Sequence, residues 1–140
     1  MKKFILIGLL AFAINSIAQS ADELSIRKVL NDQVAAWNSG NIEAFMKGYR
    51  ESDSLMFVGK SGVTYGWENT LNNYKKNYPD TSAMGKLSFI LISVKKLSSQ
   101  YFFIVGKWYL KRSIGDISGH FTLLFKKIKS NWMIITDHSS

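Results

Sequence analysis

Beyond residue 85 the chain has room for little except antiparallel β-structure. Four long runs, 86–97, 101–112, 117–128 and 132–138, are separated only by Ser98-Ser99-Gln100, residues 113–116 and Lys129-Ser130-Asn131. Connections this short cannot carry a crossover, so successive runs must be antiparallel neighbours in a meander. The period of two is clearest in the middle pair. Phe102, Ile104, Gly106, Trp108 and Leu110 share one face of the second run, and Gly119, Phe121, Leu123 and Phe125 share one face of the third. The opposite faces carry Lys107, Lys111, His120 and Lys126. Gly106 and Gly119 stand in strand interiors, where glycine permits sharp bending or close approach of another element.

The first part of the chain reads differently. Ser20 with Glu23 three residues on has the form of a capping box. Ile26, Val29, Leu30, Val34 and Trp37 follow at helical spacing, and Asn38-Ser39-Gly40 stops the helix. Asn41 caps a short second helix carrying Ile42, Phe45, Met46 and Tyr49. A hairpin is expected at 54–58 and 62–65, turning through Gly59-Lys60-Ser61-Gly62. Trp67, Leu71, Tyr74 and Tyr78 then mark a third helix, ended by Pro79. Helices first and strands afterwards define an α+β fold. The expected shape is a cone: a strongly bent antiparallel sheet with three helices from the N-terminal half over its concave face, and a cavity between them.

Residues 1–18 have the composition of a leader. Lys2 and Lys3 precede an apolar run from Phe4 to Ile14, and Ser16 and Ala18 supply small residues for cleavage before Gln19. The run is about half the ~20 residues a membrane-spanning helix needs. The expectation is a cleaved signal peptide at 1–18 and one exported domain at 19–140, periplasmic or extracellular, with no transmembrane span after cleavage. The sequence has no cysteine, which excludes disulfides, thiol catalysis and cysteine–metal clusters. Residues 19–84 hold seven Lys/Arg against eight Asp/Glu, whereas 85–140 hold nine against two. The basic half reads as a solvated sheet face, or as a surface for an acidic envelope polymer. It has no arginine cluster or nucleic-acid motif, so no nucleic acid is expected.

Motifs through nearly the whole of 19–140 carry a resemblance. They are Trp37-Asn38-x-Gly40-Asn41, Tyr49-x-x-Ser52-Asp53, Phe57-Val58-Gly59 with Gly66-Trp67, and Tyr74-Lys75-x-x-Tyr78-Pro79. Further on come Met84-Gly85-x-Leu87-x-Phe89, Gly106-x-Trp108-x-Leu110-x-Arg112, Gly119-x-Phe121-Thr122-Leu123 and Trp132-x-Ile134-x-x-Asp137-His138. In this order and spacing the chain resembles the nuclear transport factor 2-like superfamily, on its polyketide-cyclase (SnoaL)-like side. The resemblance implies a cystatin-like α+β roll. The superfamily spans isomerases, cyclases, dehydratases, ligand binders and association domains, so the fold leaves the chemistry open. The ketosteroid isomerase pattern needs a Tyr and two inward acids. The strand-rich half offers only Asp116, in a turn, and Asp137, which puts that chemistry in doubt.

Asp137 and His138 are the candidate catalytic pair, since a carboxylate and an imidazole can do general acid/base work. Adjacent strand residues face opposite ways unless a bulge intervenes. With Trp132 inward, the parity of Trp132, Ile134, Thr136 and His138 favours His138 as the cavity residue. The alternative is that both are structural. Trp37, Tyr49, Phe57, Trp67, Tyr74 and Trp108 are the candidate ligand-binding set on the concave side, suited to an apolar or planar molecule. The alternative for most of them is ordinary core, with Tyr49 and Tyr74 favoured at the pocket rim. His120 is expected to face out. No metal site or cofactor is expected, because the two His residues lack ligand spacing and no phosphate-cradling loop is present. The two functional readings are a small-molecule pocket with or without cofactor-free acid/base chemistry, and a non-catalytic association module of the cell envelope that homodimerises through the outer sheet face.

Overall fold

The structure, a computed structural model, describes residues 19–140. The expected leader lies outside the described residues. Helix α1 (Ala21–Asn38) starts where the Ser20 hydroxyl accepts from the Glu23 N–H at 3.2 Å, and buries Ile26, Leu30, Gln33 and Trp37. Helix α2 (Ile42–Met46) is capped by the Asn41 side chain, which accepts from the Ala44 N–H at 2.8 Å. Gly40 between them has φ +78°, a left-handed conformation that suits glycine. Strands β1 (Met56–Gly59) and β2 (Gly62–Tyr65) form a hairpin, followed by α3 (Trp67–Asn77). A single turn, α4 (Thr81–Met84), adds a fourth helical element beyond the three expected, capped by Asp80.

The meander is β3 (Lys86–Lys96), β4 (Tyr101–Lys111), β5 (Ile117–Ile128) and β6 (Asn131–Ser139). The six strands form one sheet in the order β2-β1-β6-β5-β4-β3. All pairs within the meander are antiparallel, and β1 joins its edge by lying parallel to β6. The β5–β6 turn is made by Lys129 and Ser130, both at positive φ, with Ile128 paired to Asn131. Two left-handed residues are what a tight hairpin needs to match the twist of its strands.

Two bulges bend the sheet. On β3, Leu91 pairs with Gly106 and Ser93 with Val105, leaving Ile92 as an extra residue. The Phe121 ring lies directly over Gly106, where a Cβ would collide with the ring and come within 2.9 Å of the Ile90 carbonyl oxygen. The bulge and the missing side chain together let the sheet curl at this point. On β6, Thr136 pairs with Leu124 and Ile134 with Phe125, so the extra residue is Ile135.

The concave face of the sheet presents Phe102, Ile104, Leu110, Phe121, Leu123 and Phe125 to the helices, all buried. Burial of each such side chain is worth roughly 1.5–3 kcal/mol. Two polar ties hold α1 across this face. At its start, Asp22 Oδ1 accepts from Lys127 Nζ and from Trp132 Nε1, each at 3.0 Å. At its end, the Asn38 side chain accepts from the Leu87 N–H at 2.6 Å and donates to the Leu87 carbonyl at 3.1 Å. The helix therefore roofs the sheet from the β5–β6 turn to the β3 edge, leaving the other end of the cone open.

Candidate functional site

Under that roof lies a cavity of about 510 Å³. Its exposed lining residues, among them Lys60 and Ser61 of the β1–β2 turn and Asn73 and Asn77 of α3, mark the mouth. Its buried lining residues include Gln33, Tyr49 and Asp137, each only 3 % exposed.

Asp137 reaches this position through the bulge at Ile135. Trp132 and Ile134 point inward, as the period of two requires. The extra residue then places Ile135 and Thr136 on the outer side and returns Asp137 to the inside. The parity argument for His138 is therefore corrected. His138 is exposed on the convex face and does not line the cavity, because the strand skips one step before reaching it.

The neighbours of β6 complete the site. The backbone after α2 runs beside Ile134: the Ile134 N–H donates to the Gly48 carbonyl and the Arg50 N–H to the Ile134 carbonyl, both at 2.9 Å. This lays Tyr49 alongside the strand. Further along, Phe57 of β1 is the register partner of Asp137. The Tyr49 hydroxyl donates to Asp137 Oδ2 at 2.7 Å, and the Ser139 hydroxyl donates to Oδ1 at 2.7 Å. The Tyr49 and Tyr74 hydroxyl oxygens lie 3.3 Å apart. Tyr49 has one proton and gives it to Asp137, so Tyr74 is the donor in that contact. Tyr74 is also the hub of an aromatic wall, with Phe45, Phe57 and Trp37 ring centroids at 5.3, 5.7 and 5.9 Å.

Among the described residues no salt bridge reaches Asp137. Burial therefore raises its pKa from 3.8 to about 6, against the lowering effect of the Tyr49 and Ser139 hydrogen bonds and of the nearby His138. Burial and the Asp137 charge push the Tyr49 and Tyr74 hydroxyls well above the usual tyrosine range, so both stay protonated. The arrangement is a hydrogen-bonded chain, Tyr74 to Tyr49 to Asp137, ending on a carboxyl group that can gain or lose a proton near neutral pH. Among the described residues no group of three or more His, Asp or Glu side chains is placed to hold a metal ion.

Of the candidate ligand-binding residues, Trp37, Tyr49, Phe57, Tyr74 and Trp108 line the cavity. Trp67 does not: its Nε1 donates to the Met46 carbonyl at 2.9 Å and its ring packs on the core, because it stands at the start of α3 on the side facing α2. Trp37 is tied by its own Nε1 to the Met84 carbonyl at 3.0 Å. Trp108 Nε1 is buried with no partner among the described residues. Tyr49 and Tyr74 stand at the carboxylate rather than at the rim. Sequence reasoning did not single out Ser139, two residues beyond Asp137 on the same face, or Gln33, an isolated polar residue on the buried stripe of α1. Both signals were visible in the strand and helix periods.

No family model matches the sequence, and no curated protein matches it. Solved structures do. A nuclear transport factor 2-like protein of unknown function from Shewanella oneidensis MR-1 is 42 % identical, with a TM-score of 0.79, over 83 % of this chain and 96 % of that one. A domain of unknown function with a cystatin-like fold from Nostoc punctiforme PCC 73102 is 17 % identical, with a TM-score of 0.72, over 88 % of this chain and 78 % of that one. A ketosteroid isomerase-like protein from Erwinia carotovora atroseptica SCRI1043 is 14 % identical, with a TM-score of 0.66, over 87 % and 97 %. The fold is thus an α+β roll of the cystatin-like class. The chain belongs to the nuclear transport factor 2-like family.

Proposed function

We propose that this is an exported pocket domain that binds a small apolar or planar molecule, with Asp137 available for acid/base chemistry that needs no cofactor. One observation carries the reading: a 510 Å³ cavity with aromatic walls contains a buried, ionisable carboxyl group held by two hydroxyl donors. Ligand pockets have this size and this balance of apolar wall to few polar groups. A carboxyl group titrating near 6 is poised to exchange protons at neutral pH, as a general acid or base must be. Export is supported by the three-part leader pattern at 1–18. A thermal-shift screen with planar aromatic compounds tests the binding. Stabilisation that Tyr74→Ala abolishes is the expected result; no shift with any compound refutes it. Detecting the mature N-terminus at Gln19 after expression in a bacterium tests the export.

A second reading, homodimerisation through the outer sheet face, is favoured by Ile90, Ile92 and Phe103, which stand 54, 57 and 36 % exposed there. Lys107 lies 5.1 Å from the Tyr109 ring on the same face, which lets a lysine be accommodated against an apolar surface. Light scattering checks this: a dimer that Phe103→Lys converts to monomer is expected, and a wild-type monomer at all salt concentrations removes the idea.

A further inference from the structure

Around Asp137 the cavity offers a ligand acceptors, and the one unpartnered buried donor in its lining among the described residues is Trp108 Nε1. The Tyr49 and Ser139 protons are both committed to Asp137. The Tyr74 proton is committed to Tyr49, which leaves the lone pairs of the Tyr74 oxygen free. The carboxylate uses two of about four lone-pair directions for these bonds and keeps the rest. Gln33 adds another acceptor. Its Nε2 donates to the Phe45 carbonyl at 3.2 Å, while no side-chain or backbone donor among the described residues meets its Oε1. Among the described residues the negative charge itself has no cation within ion-pair distance.

A buried anion without a counter-charge is unfavourable, and a ligand that brings the counter-charge relieves it. The rings around the carboxylate suit the same ligand. Phe57 is its register partner, and Tyr74 and Phe45 stand next in the wall. Aromatic faces attract cations, most strongly where water is excluded. A neutral ligand would use the walls but leave the charge unmet, and an anion would be repelled.

We propose that the ligand of this cavity is an organic cation, a protonated amine or amidine on a small planar or apolar body, whose N–H groups are received by Asp137 and Tyr74. The proposal rests on the small-molecule reading above and names its ligand class. The groups that bear on the Asp137 charge are few. Tyr49 faces it from the segment after α2, Tyr74 from α3 and Ser139 from β6 itself. Leu123 of β5 and Phe57 of β1 are its partners across the sheet and do not titrate. His138 acts from the opposite face of β6, and Lys60 lines the cavity wall at the β1–β2 turn. A cation favours the ionised carboxylate, so its affinity must fall as pH drops through the range where Asp137 takes up a proton.

Matched probes test this by titration calorimetry on the protein: benzamidine against benzamide, phenethylamine against 2-phenylethanol, and benzoate as the anion. At about pH 7.5 each cation is expected to bind at least about tenfold tighter than its neutral partner, and the advantage to shrink towards none at about pH 5. Asp137→Asn is expected to equalise each pair. Tyr74→Phe, which removes one acceptor and the donor to Tyr49 without placing a new polar group, is expected to weaken each cation several-fold more than its neutral partner. The pH series on the wild type needs no variant, so a variant that fails to fold does not rescue the idea. Neutral compounds or benzoate binding as tightly as the cations, or tighter binding at low pH, overturns the cation proposal and leaves the pocket reading standing. No binding by any probe overturns both.

Discussion

Asp137 should make the domain less stable at neutral pH than in mild acid, and the size of the effect follows from its surroundings. Its carboxyl group titrates at about 6 in the folded chain, against 3.8 for an unperturbed aspartate. Between these values the folded state holds a proton that the unfolded chain has released. Stability from this group is therefore complete below about pH 4 and is lost as pH rises through 6. A difference of about two pKa units at about 1.4 kcal/mol each amounts to about 3 kcal/mol. Asp137→Asn removes the titration while keeping the shape. The amide changes the hydrogen bonds with Tyr49 and Ser139, but that contribution does not vary across this pH range, and the other carboxyl groups titrate alike in both proteins. The stability of the Asn variant minus that of the wild type should thus rise by about 2–2.5 kcal/mol between pH 4 and pH 7, the larger part of the full difference and equivalent to roughly 8 °C in Tm for a domain of this size. Urea denaturation of both proteins at several pH values measures it. A difference that stays flat with pH would show that Asp137 titrates as an exposed aspartate does and would refute the buried, unpaired carboxyl group.

Three further outcomes follow from the same geometry. Tyr49→Phe removes the donor to Asp137 Oδ2; it should cost about 1.5–3 kcal/mol above pH 6 and much less at pH 4, which denaturation at the two pH values checks. Gly119→Ala places a Cβ onto the Ser140 carbonyl and within 2.9 Å of the Trp108 ring. It should displace the chain end that carries Ser139, costing about 1–3 kcal/mol by denaturant titration and altering Trp108 fluorescence. Deleting Ile135 leaves every β5–β6 partner in place and keeps Asp137 inward, because it removes only the bulged residue. The variant should fold with Asp137 still titrating near 6 by carboxyl-carbon NMR, and a return to 3.8 would contradict the bulge account.

The legible parts of the fold were those set by local pattern. The capping box at Ser20, the period of Ile26, Leu30 and Trp37, and the short loops of the meander fixed elements by interactions between near neighbours. The inner faces of β4 and β5 followed from alternation alone. Three things were not legible. The parallel pairing of β1 with β6 joins residues about 80 positions apart, and no local signal encodes it. The turn at α4 is too short for a period to show. The bulge at Ile135 decides which of Asp137 and His138 enters the cavity, yet it arises from the register between β5 and β6 rather than from any residue type that favours bulges. The aromatic wall was legible as a set because each member lay on a buried face. Trp67 departed from it because a tryptophan with one hydrogen bond to the backbone packs equally well between two helices.

The two halves of the site pull in opposite directions energetically. The aromatic wall is core by another name: Trp37, Phe45, Tyr74 and Phe57 bury apolar surface and stabilise the roof whether or not anything enters the cavity. Asp137 does the reverse. An asparagine there would keep the shape without a charge, and a leucine would extend the wall, so folding alone does not require the carboxyl group. The structure instead spends three hydroxyl groups on it, from Tyr49, Ser139 and, through Tyr49, Tyr74, drawn from three separate segments of the chain. These donors only partly offset its desolvation, since its pKa remains raised despite them. A polar network that stays short of full compensation marks a place where folding and function compete. The missing partner is the opening through which a ligand acts: whatever neutralises Asp137 on binding will both gain affinity and stabilise the domain, so binding should grow tighter with pH in the same window where the free domain grows weaker.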